Sequence, residues 1–490
     1  MKKSANRVAK RIGGCAAAGW RWAAPWAGVL ALWILPAGCA VQHPRVEQEI
    51  GTVTGIGEAI VFRHEPDEVN PPGEPGEMSL EEAVRRALMH DPRIQAALAR
   101  VRVAEAEARQ ARLLPNPILN IDLRFAHATG SNTAFEATLT GDLVALLQKP
   151  AEISAADKRL RGSAADAVTE ALDVMSEAQQ AYLAAQYADA KIAWVEARRR
   201  DVAALREIAK KRLDAGDGTR LDVLMIESQL VGAELDLAEL QQARVEARLL
   251  LAKLVGEPRG AAAWTLDPRG ARPAGELAPE AAWIDAALGH RPEIQSKQWE
   301  LKALGDDLTA AEFSPFAGGE TGVHTERDPE WRTGPTMTTP LPMFDWGQAA
   351  RGRIMAQRMA ARHELAGLQA DIIQDVRVAY AAHARAAKSF ADVNEKLVPL
   401  LEQQNRLARL SLSSGESDLA TLLLAESETR QTAERVLDLE SQAAVARVKL
   451  QRAAGGAAVA AALQKPATQP GTAPASGPAS ASQAGTGGRP

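Results

Sequence analysis

The sequence predicts a mainly α-helical fold with a small β part, in which one unit of long antiparallel helices occurs twice. Three observations predict it. Ala, Leu, Glu and Arg are abundant in the 490 residues and aromatic residues make up only 4%, a composition typical of long helices that pack closely. A motif recurs at a fixed offset along the chain. Short segments alternate apolar and polar residues with the period of β-strands.

The recurring motif indicates a duplicated unit. Residues 87–95, with the pattern Ala-Leu-x-His-x-Pro-x-Ile-Gln, return 200 residues later as residues 287–295. A second echo follows in the same order, pairing Glu227-Ser228 with Glu426-Ser427 at an offset of 199. Two echoes at nearly one spacing predict repeats of about 200 residues each.

Within each repeat the expected order is a helix, a β-hairpin, a long helix and a return helix. For the first repeat (79–258) we expect these elements at 80–114, about 118–146, 153–213 and 220–254. For the second repeat (279–455) we expect them at 280–314, about 318–342, 348–412 and 419–454. A helix of about 60 residues is about 90 Å long, so the repeats predict α-helices in an elongated rod.

The segments outside the repeats have other compositions. Residues 39–78 form an irregular lead and 259–278 a linker. Residues 456–490 are rich in Ala, Pro, Ser and Gly. Because such a segment buries too little apolar surface to offset the entropy of ordering, we expect a disordered tail.

Residues 1–38 resemble a bacterial lipoprotein signal peptide. Basic residues precede a short apolar core at 27–35, and small residues stand directly before Cys39. The resemblance implies that Cys39 is lipidated and becomes the first mature residue, in spite of Pro36. An ordinary cleaved signal and a retained anchor at 22–41 are the alternatives.

The hairpin strands carry the strongest β signal. Leu119, Ile121 and Leu123 alternate with polar residues, which predicts one apolar and one polar face. Four strands per chain cannot close a membrane barrel, because the smallest have about eight. Since open sheet edges are excluded from lipid, membranous hairpins would require several chains to share one barrel. The alternative is a pair of hairpins that cap a soluble bundle.

Several motifs together resemble the TolC-like outer membrane factor (outer membrane efflux protein) family. They are Leu-Glu-Glu-Ala at 80–83, Leu-Leu-Pro at 113–115, Gly-Thr-Arg-Leu-Asp-Val-Leu at 218–224 and Pro-Leu-Pro-Met-Phe-Asp-Trp-Gly-Gln at 340–348. The resemblance covers residues 78–455, and the lipoprotein signal resembles the branch that serves resistance-nodulation-division pumps.

This resemblance implies a fold, a location and partners. It implies a homotrimer in which the four strands of each chain contribute to one 12-stranded transmembrane β-barrel, below which an α-helical barrel crosses the periplasm and the 259–278 linker lies in an equatorial region. It also implies outer-membrane lipid, a periplasmic adaptor (membrane fusion) protein and an inner-membrane pump as partners, in a Gram-negative bacterium. The expected function is passive efflux.

The glycine-bearing tips between long and return helices are the expected gate. The resemblance implies a gate aspartate at Asp222, and the other charged gate candidates on the two tips are Asp217, Arg220, Glu416 and Asp418. It implies adaptor contacts at Gly216, Gly218, Leu221, Gly415 and Leu419. The alternative for the acids is that they stabilise the positive end of a helix dipole.

Other functional classes have little support in the sequence. A formal net charge of −5 argues against nucleic acid as a partner. Nucleotide, hydrolase and zinc-protease motifs are missing from the sequence, so we expect no catalysis, no cofactor and no metal site. A periplasmic coiled-coil lipoprotein with a structural or adaptor role, and a type I protein secretion channel, remain the alternative functions.

Overall fold

A computed structural model describes most of the chain. The described residues are 45–55, 60–65, 76–125, 134–216, 218–267, 277–327, 330–414, 416 and 419–463. The predicted signal at 1–38, Cys39, Asp217, Gly415 and Asp418 therefore lie outside the described residues.

Within these residues the chain forms eleven α-helices. Those up to the end of the first repeat are α1 (Val46–Thr54), α2 (Leu80–His90), α3 (Pro92–Arg112), α4 (Leu143–Asp214) and α5 (Arg220–Leu254). The others are α6 (Glu280–His290), α7 (Pro292–Ala311), α8 (Gln348–Asp392), α9 (Val398–Ser413), α10 (Leu419–Ala453) and α11 (Ala457–Leu463).

The first helix of each repeat is two helices instead of one. The expected helix 80–114 is interrupted at Asp91, whose carboxylate accepts a hydrogen bond from the backbone N–H of Arg93 at 2.8 Å and so caps α3. Pro92 is the first residue of α3, where its missing N–H costs nothing. The expected helix 280–314 has the same break at Arg291, directly before Pro292.

Helix α4 is the longest helix in the described residues. It runs for 72 residues, about 108 Å at 1.5 Å per residue, and begins at Leu143, ten residues before the expected start. Asp142 caps it by accepting a hydrogen bond from the N–H of Ala145 at 2.8 Å. The helix continues through Pro150 near its start, although proline usually interrupts a helix.

Small residues let the other helices approach α4. It contacts α3, α5, α7 and α10. Ala171, Ala178 and Ala185 recur every seven residues and are fully buried. A seven-residue repeat of buried positions is typical of helices that supercoil around one another.

The recurring His-x-Pro motif has a structural reason. His90 ends α2 and packs against Gly256, which follows α5 and has a φ of +84°. A Cβ at Gly256 would lie 2.5 Å from the Cβ of His90, so only glycine fits. His290 lies similarly against Gly455 in the second repeat.

The strands form two sheets. The bounds are β1 (Glu77–Met78), β2 (Ile118–Arg124), β3 (Ala134–Asp142), β4 (Thr265–Leu266), β5 (Glu320–Arg327) and β6 (Trp331–Thr338). Strands β1 and β4 pair in parallel. The other four form an antiparallel sheet in the order β2-β3-β5-β6, so the β3–β5 pair joins the hairpins of the two repeats.

Three further segments depart from the sequence-based expectation. The lead at 39–78 contains α1, because Val46, Ile50 and Thr54 share one buried helical face. The expected tail at 456–490 begins with the Ala-rich helix α11, whose Ala460 is fully buried. The expected helix 348–412 contains a π-helical turn at Val393–Leu397, between α8 and α9.

Candidate functional site: the sheet and the helical tips

The four-stranded sheet has two chemically different faces. On β3, Glu136, Thr138 and Thr140 point to one side, and the alternating residues Phe135 and Leu139 point to the other. The register extends this division across the sheet. The polar face also carries Asn120, Asp122, Arg124, Glu320, His324, Glu326, Arg332 and Thr336.

The polar face is a network of charged and hydroxyl groups. The guanidinium of Arg124 lies 2.7 Å from the carboxylate of Glu136. Thr140 Oγ1 donates to Glu320 at 2.9 Å, and Thr138 Oγ1 lies 2.9 Å from Nδ1 of His324. Such a face suits contact with water.

The opposite face leaves large apolar side chains uncovered. Leu119 is 60% exposed, Ile121 56%, Trp331 60% and Met337 68%. An apolar face of this extent on a soluble monomer is unusual and marks a surface that another molecule or a membrane covers.

The sheet also has two open edges. Strand β2 pairs only with β3, and β6 only with β5, among the residues that the structure describes. Unpaired backbone groups along an edge are a template for pairing with another chain.

At the first tip, Asp222 has a defined structural role. Gly216 follows α4 with a φ of +85°, and Thr219 caps α5. The Asp222 N–H donates to Thr219 Oγ1 at 3.2 Å, while the Thr219 N–H donates to the Asp222 carboxylate at 3.0 Å. This reciprocal capping box stabilises the helix start. Arg220 and the 64% exposed Leu221 point into solvent beside it.

Gly218 and Glu416 complete the described tip candidates. A Cβ at Gly218 would lie 3.1 Å from the backbone N of Leu213, so the first tip is closely packed. At the second tip, Glu416 is exposed and its N–H donates to the carbonyl of Ser411 at 2.9 Å. Leu419 begins α10. The structure thus brings Arg220, Leu221 and Asp222 together at the first tip and places Glu416 at the second tip.

Both tips are held together at equivalent positions. The first has a buried cluster around Ala209, Val223 and Ile226. The second tip has the equivalent cluster, which contains Ala408, Leu422 and Ala425. Each of these residues lies 199 positions after its counterpart in the first cluster.

The echoed Glu-Ser pair marks an ion pair between the helices of each tip. Glu227 lies 3.6 Å from Lys210 of α4, and Glu426 lies 3.1 Å from Arg409 of α9. The sequence analysis did not identify Lys210 and Arg409 as functional residues. The repeated Glu-Ser pair was the sequence signal that could have identified this contact.

A partly buried ion-pair network joins the two repeats within the rod. Arg452 of α10 lies 2.6 Å from Asp173 of α4 and 2.8 Å from Glu293 of α7. Burial alone would raise the pKa of Glu293, but Arg452 and Arg291 hold that pKa below its ordinary value. The network stabilises contact between helices that are far apart in sequence.

The described residues contain neither a metal-binding cluster nor a membrane-spanning helix. Within those residues no group of three His, Cys, Asp or Glu side chains has the arrangement of a metal site. None of the helices described is both long and apolar enough to cross a membrane.

The chain is similar to a family model and to two named bacterial proteins. Residues 83–257 match the family model described as outer membrane efflux protein. The pyoverdine export outer membrane protein OpmQ of Pseudomonas aeruginosa is 27% identical over 437 residues, which covers 78% of this chain and 86% of OpmQ. The fusaric acid resistance protein FusA of Burkholderia cepacia is 33% identical over 171 residues, 32% of this chain, and the match spans only 31% of FusA.

Solved structures share the fold. CusC superposes with a TM-score of 0.62 at 16% identity and covers 81% of this chain and 99% of CusC. The CmeC outer membrane channel of Campylobacter jejuni gives a TM-score of 0.63 at 15% identity, over 77% of this chain and 85% of CmeC. Identities this low show the fold alone. The predicted mainly α-helical fold with four strands in one small sheet is confirmed, as is the resemblance to outer membrane efflux proteins.

Proposed function

We propose that this chain, whose residues 83–257 match the outer membrane efflux protein family model, is one subunit of an outer-membrane channel that conducts substrates passively out of the cell. The observation that carries the proposal is the four-stranded sheet, which has one polar face, one exposed apolar face and two open edges. A water-filled pore in lipid requires two such opposite faces, and the open edges allow several copies to close one barrel.

The open edges lead to a shared barrel. When β6 of one copy pairs with β2 of the next, the antiparallel order continues, and three copies of the four-stranded sheet make 12 strands. Every edge is then paired, as lipid requires. The apolar face, with Leu119 and Ile121, contacts lipid, and the face with Glu136 and His324 lines the pore.

The rod supplies the duct below the barrel. Helix α4 alone is about 108 Å long, enough to carry the pore far from the membrane. The tips lie at the end of the rod opposite the sheet. They contact a periplasmic adaptor protein through exposed apolar residues such as Leu221, and Asp222 contributes to the gate. An inner-membrane pump provides the energy, and a lipidated Cys39 adds an anchor.

Reconstitution tests the channel directly. The purified full-length chain, added to planar bilayers, should form trimers that resist dissociation in detergent and should conduct ions. A monomer that washing releases from membranes and that shows no conductance would overturn the proposal and support a periplasmic coiled-coil lipoprotein.

The role in a tripartite pump needs a separate test. Leu221→Glu should weaken cross-linking to the adaptor in cells and reduce efflux, because it places a charge on an exposed apolar contact. Its conductance in planar bilayers should be unchanged. Leu235→Glu, further up α5 at an equally exposed position (62%), is the matched control and should retain both adaptor contact and efflux. Export of a protein substrate with unchanged small-molecule tolerance would instead indicate a type I secretion channel.

A further inference from the structure

The apolar face of the sheet carries one charged residue. The residues on this face of β2, β3, β5 and β6 are Leu119, Ile121, Leu123, Phe135, Ala137, Leu139, Gly141, Thr321, Val323, Thr325, Arg327, Trp331, Thr333, Pro335 and Met337. Among these described positions only Arg327 is charged, and it is exposed. A guanidinium on a lipid-facing surface is costly unless it lies at the membrane boundary, so its position requires a reason.

The strand register places Arg327 beside two aromatic rings. Phe135 is the partner of Arg327 on β3, and Trp331 is its partner on β6. The two rings pack edge to face with centroids 5.8 Å apart. The central carbon of the Arg327 guanidinium lies 5.8 Å from the centroid of the Trp331 ring. Arg327 is therefore oriented by a packed aromatic pair.

The row of paired residues formed by Phe135, Arg327 and Trp331 lies at the end of the sheet away from the rod. Gly141, which precedes α4, lies six positions after Phe135 along β3, a distance of about 20 Å. The rows between them carry no charge on this face. Because the apolar band of a membrane barrel is about 25 Å tall, Arg327 and Trp331 lie at the outer boundary of that band, where aromatic girdles occur.

The chemistry of this position suits a phosphate group. An arginine is always charged and presents a planar fork of donors that matches phosphate oxygens. Within the part of the chain that the structure describes, no carboxylate is recorded in an ion pair with Arg327, whereas Arg332 on the opposite face lies 3.7 Å from Glu326. The neighbouring Glu330 is exposed.

We propose that Arg327, flanked by Trp331 and Phe135, binds the phosphate of an anionic lipid at the outer boundary of the membrane. This inference rests on the proposed function, because it requires the sheet to lie in a bilayer. The aromatic rings pack against the lipid chains and the glycerol or sugar region, while the guanidinium binds the headgroup.

The test measures lipid selectivity of the assembled protein. Full-length protein is reconstituted in phosphatidylcholine vesicles, and spin-labelled phosphatidic acid is compared with spin-labelled phosphatidylcholine for association with the protein surface. The wild type should prefer phosphatidic acid. Arg327→Gln should lose about fivefold of that preference, which corresponds to about 1 kcal/mol per basic residue at a membrane surface.

Two further variants keep the result interpretable. Arg332→Gln removes an equal charge from the other face and should leave the preference unchanged. Arg327→Lys keeps the charge but not the fork and should retain part of the preference. An unchanged preference in Arg327→Gln, or an equal loss in Arg332→Gln, overturns the lipid site while conductance still supports the channel. Excess inorganic phosphate that abolishes the preference would show that the site takes free phosphate, which also overturns the proposal. A wild type without trimers or conductance overturns the proposed function, and the lipid site with it.

Discussion

The rod buries small apolar residues, whereas the sheet leaves large apolar residues exposed. In the rod, Ala171, Ala178 and Ala185 of α4 are fully buried against helices of the same chain. In the sheet, Leu119 and Ile121 are more than half exposed although they are larger and more apolar. The rod therefore completes much of its core within one chain, and the sheet depends on a second apolar environment.

The rod and the sheet therefore meet different physical requirements. Small side chains let long helices approach closely along a shared surface. In the proposed barrel, large side chains on one face of the sheet increase the apolar area removed from water, at about 25 cal/mol per Å². Substitutions in the two regions should therefore fail in different ways.

The largest effect is expected from a charge on the exposed apolar face. Ile121→Arg should prevent assembly into membranes, because an arginine near the middle of the bilayer costs about 2–4 kcal/mol in every copy of the chain. Asn120→Arg, one residue earlier and on the polar face, should assemble normally. Trimer yield after membrane extraction measures both, and equal yields would show that the two faces share one environment.

In the rod, the largest effect should come from breaking the Arg452 ion-pair network. Arg452→Ala leaves the largely buried Glu293 without the guanidinium that lies 2.8 Å away, a change that costs about 1–3 kcal/mol, because the 45% exposed side chain of Asp173 can be solvated instead. Arg377→Ala removes an exposed pair with Glu280 and should cost less than about 1 kcal/mol. Thermal unfolding followed by circular dichroism compares them, and a similar loss in both variants would mean that the network does not join the repeats.

The sequence allowed prediction of what depends on local pattern. Alternation at Leu119, Ile121 and Leu123 was enough to identify strand β2, and glycine at Gly216 was enough to identify the first tip. These features follow from side-chain period and backbone freedom, which neighbouring residues determine.

Features that depend on distant residues were not predicted. The contact between Asp173 and Arg452 joins positions 279 residues apart, so no local pattern reveals it. The start of α4 at Leu143 was missed because the helix continues through Pro150. Arg327 lies beside Phe135 because of the register in which β5 of the second repeat pairs with β3 of the first. The sequence alone does not determine that register.

A pH effect on the rod should be smaller. Burial lowers the pKa of His383 on α8 below its ordinary 6.5, and Arg447 lowers it further against a backbone hydrogen bond with Ala443. Because the folded protein binds this proton less readily than the unfolded chain, His383 makes stability fall as the pH drops below about 6.5.

His383→Gln should reduce this loss of stability, measured as the change in thermal midpoint between about pH 7.5 and pH 5. The exposed His363→Gln is the control for loss of an imidazole. A pH dependence in His383→Gln equal to that of the wild type would rule out His383 as a contributor.

The smallest effect on stability is expected at the first tip. Asp222→Asn keeps the length of the capping side chain and should destabilise by less than about 1 kcal/mol. If Asp222 also contributes to the gate, the same variant should lower cation block or cation selectivity in single-channel recordings. Unchanged recordings would leave Asp222 with the capping role alone.

The most direct measurement is a cysteine scan along β2, from Leu119 to Asp122, in the membrane-inserted protein. The native cysteines are Cys15 and Cys39, so each new thiol can be read against a low background. We predict that a charged, water-soluble thiol reagent labels positions 120 and 122, whereas a lipid-borne quencher reaches labels at 119 and 121. Equal labelling of all four positions from water would contradict a barrel shared between chains in the outer membrane.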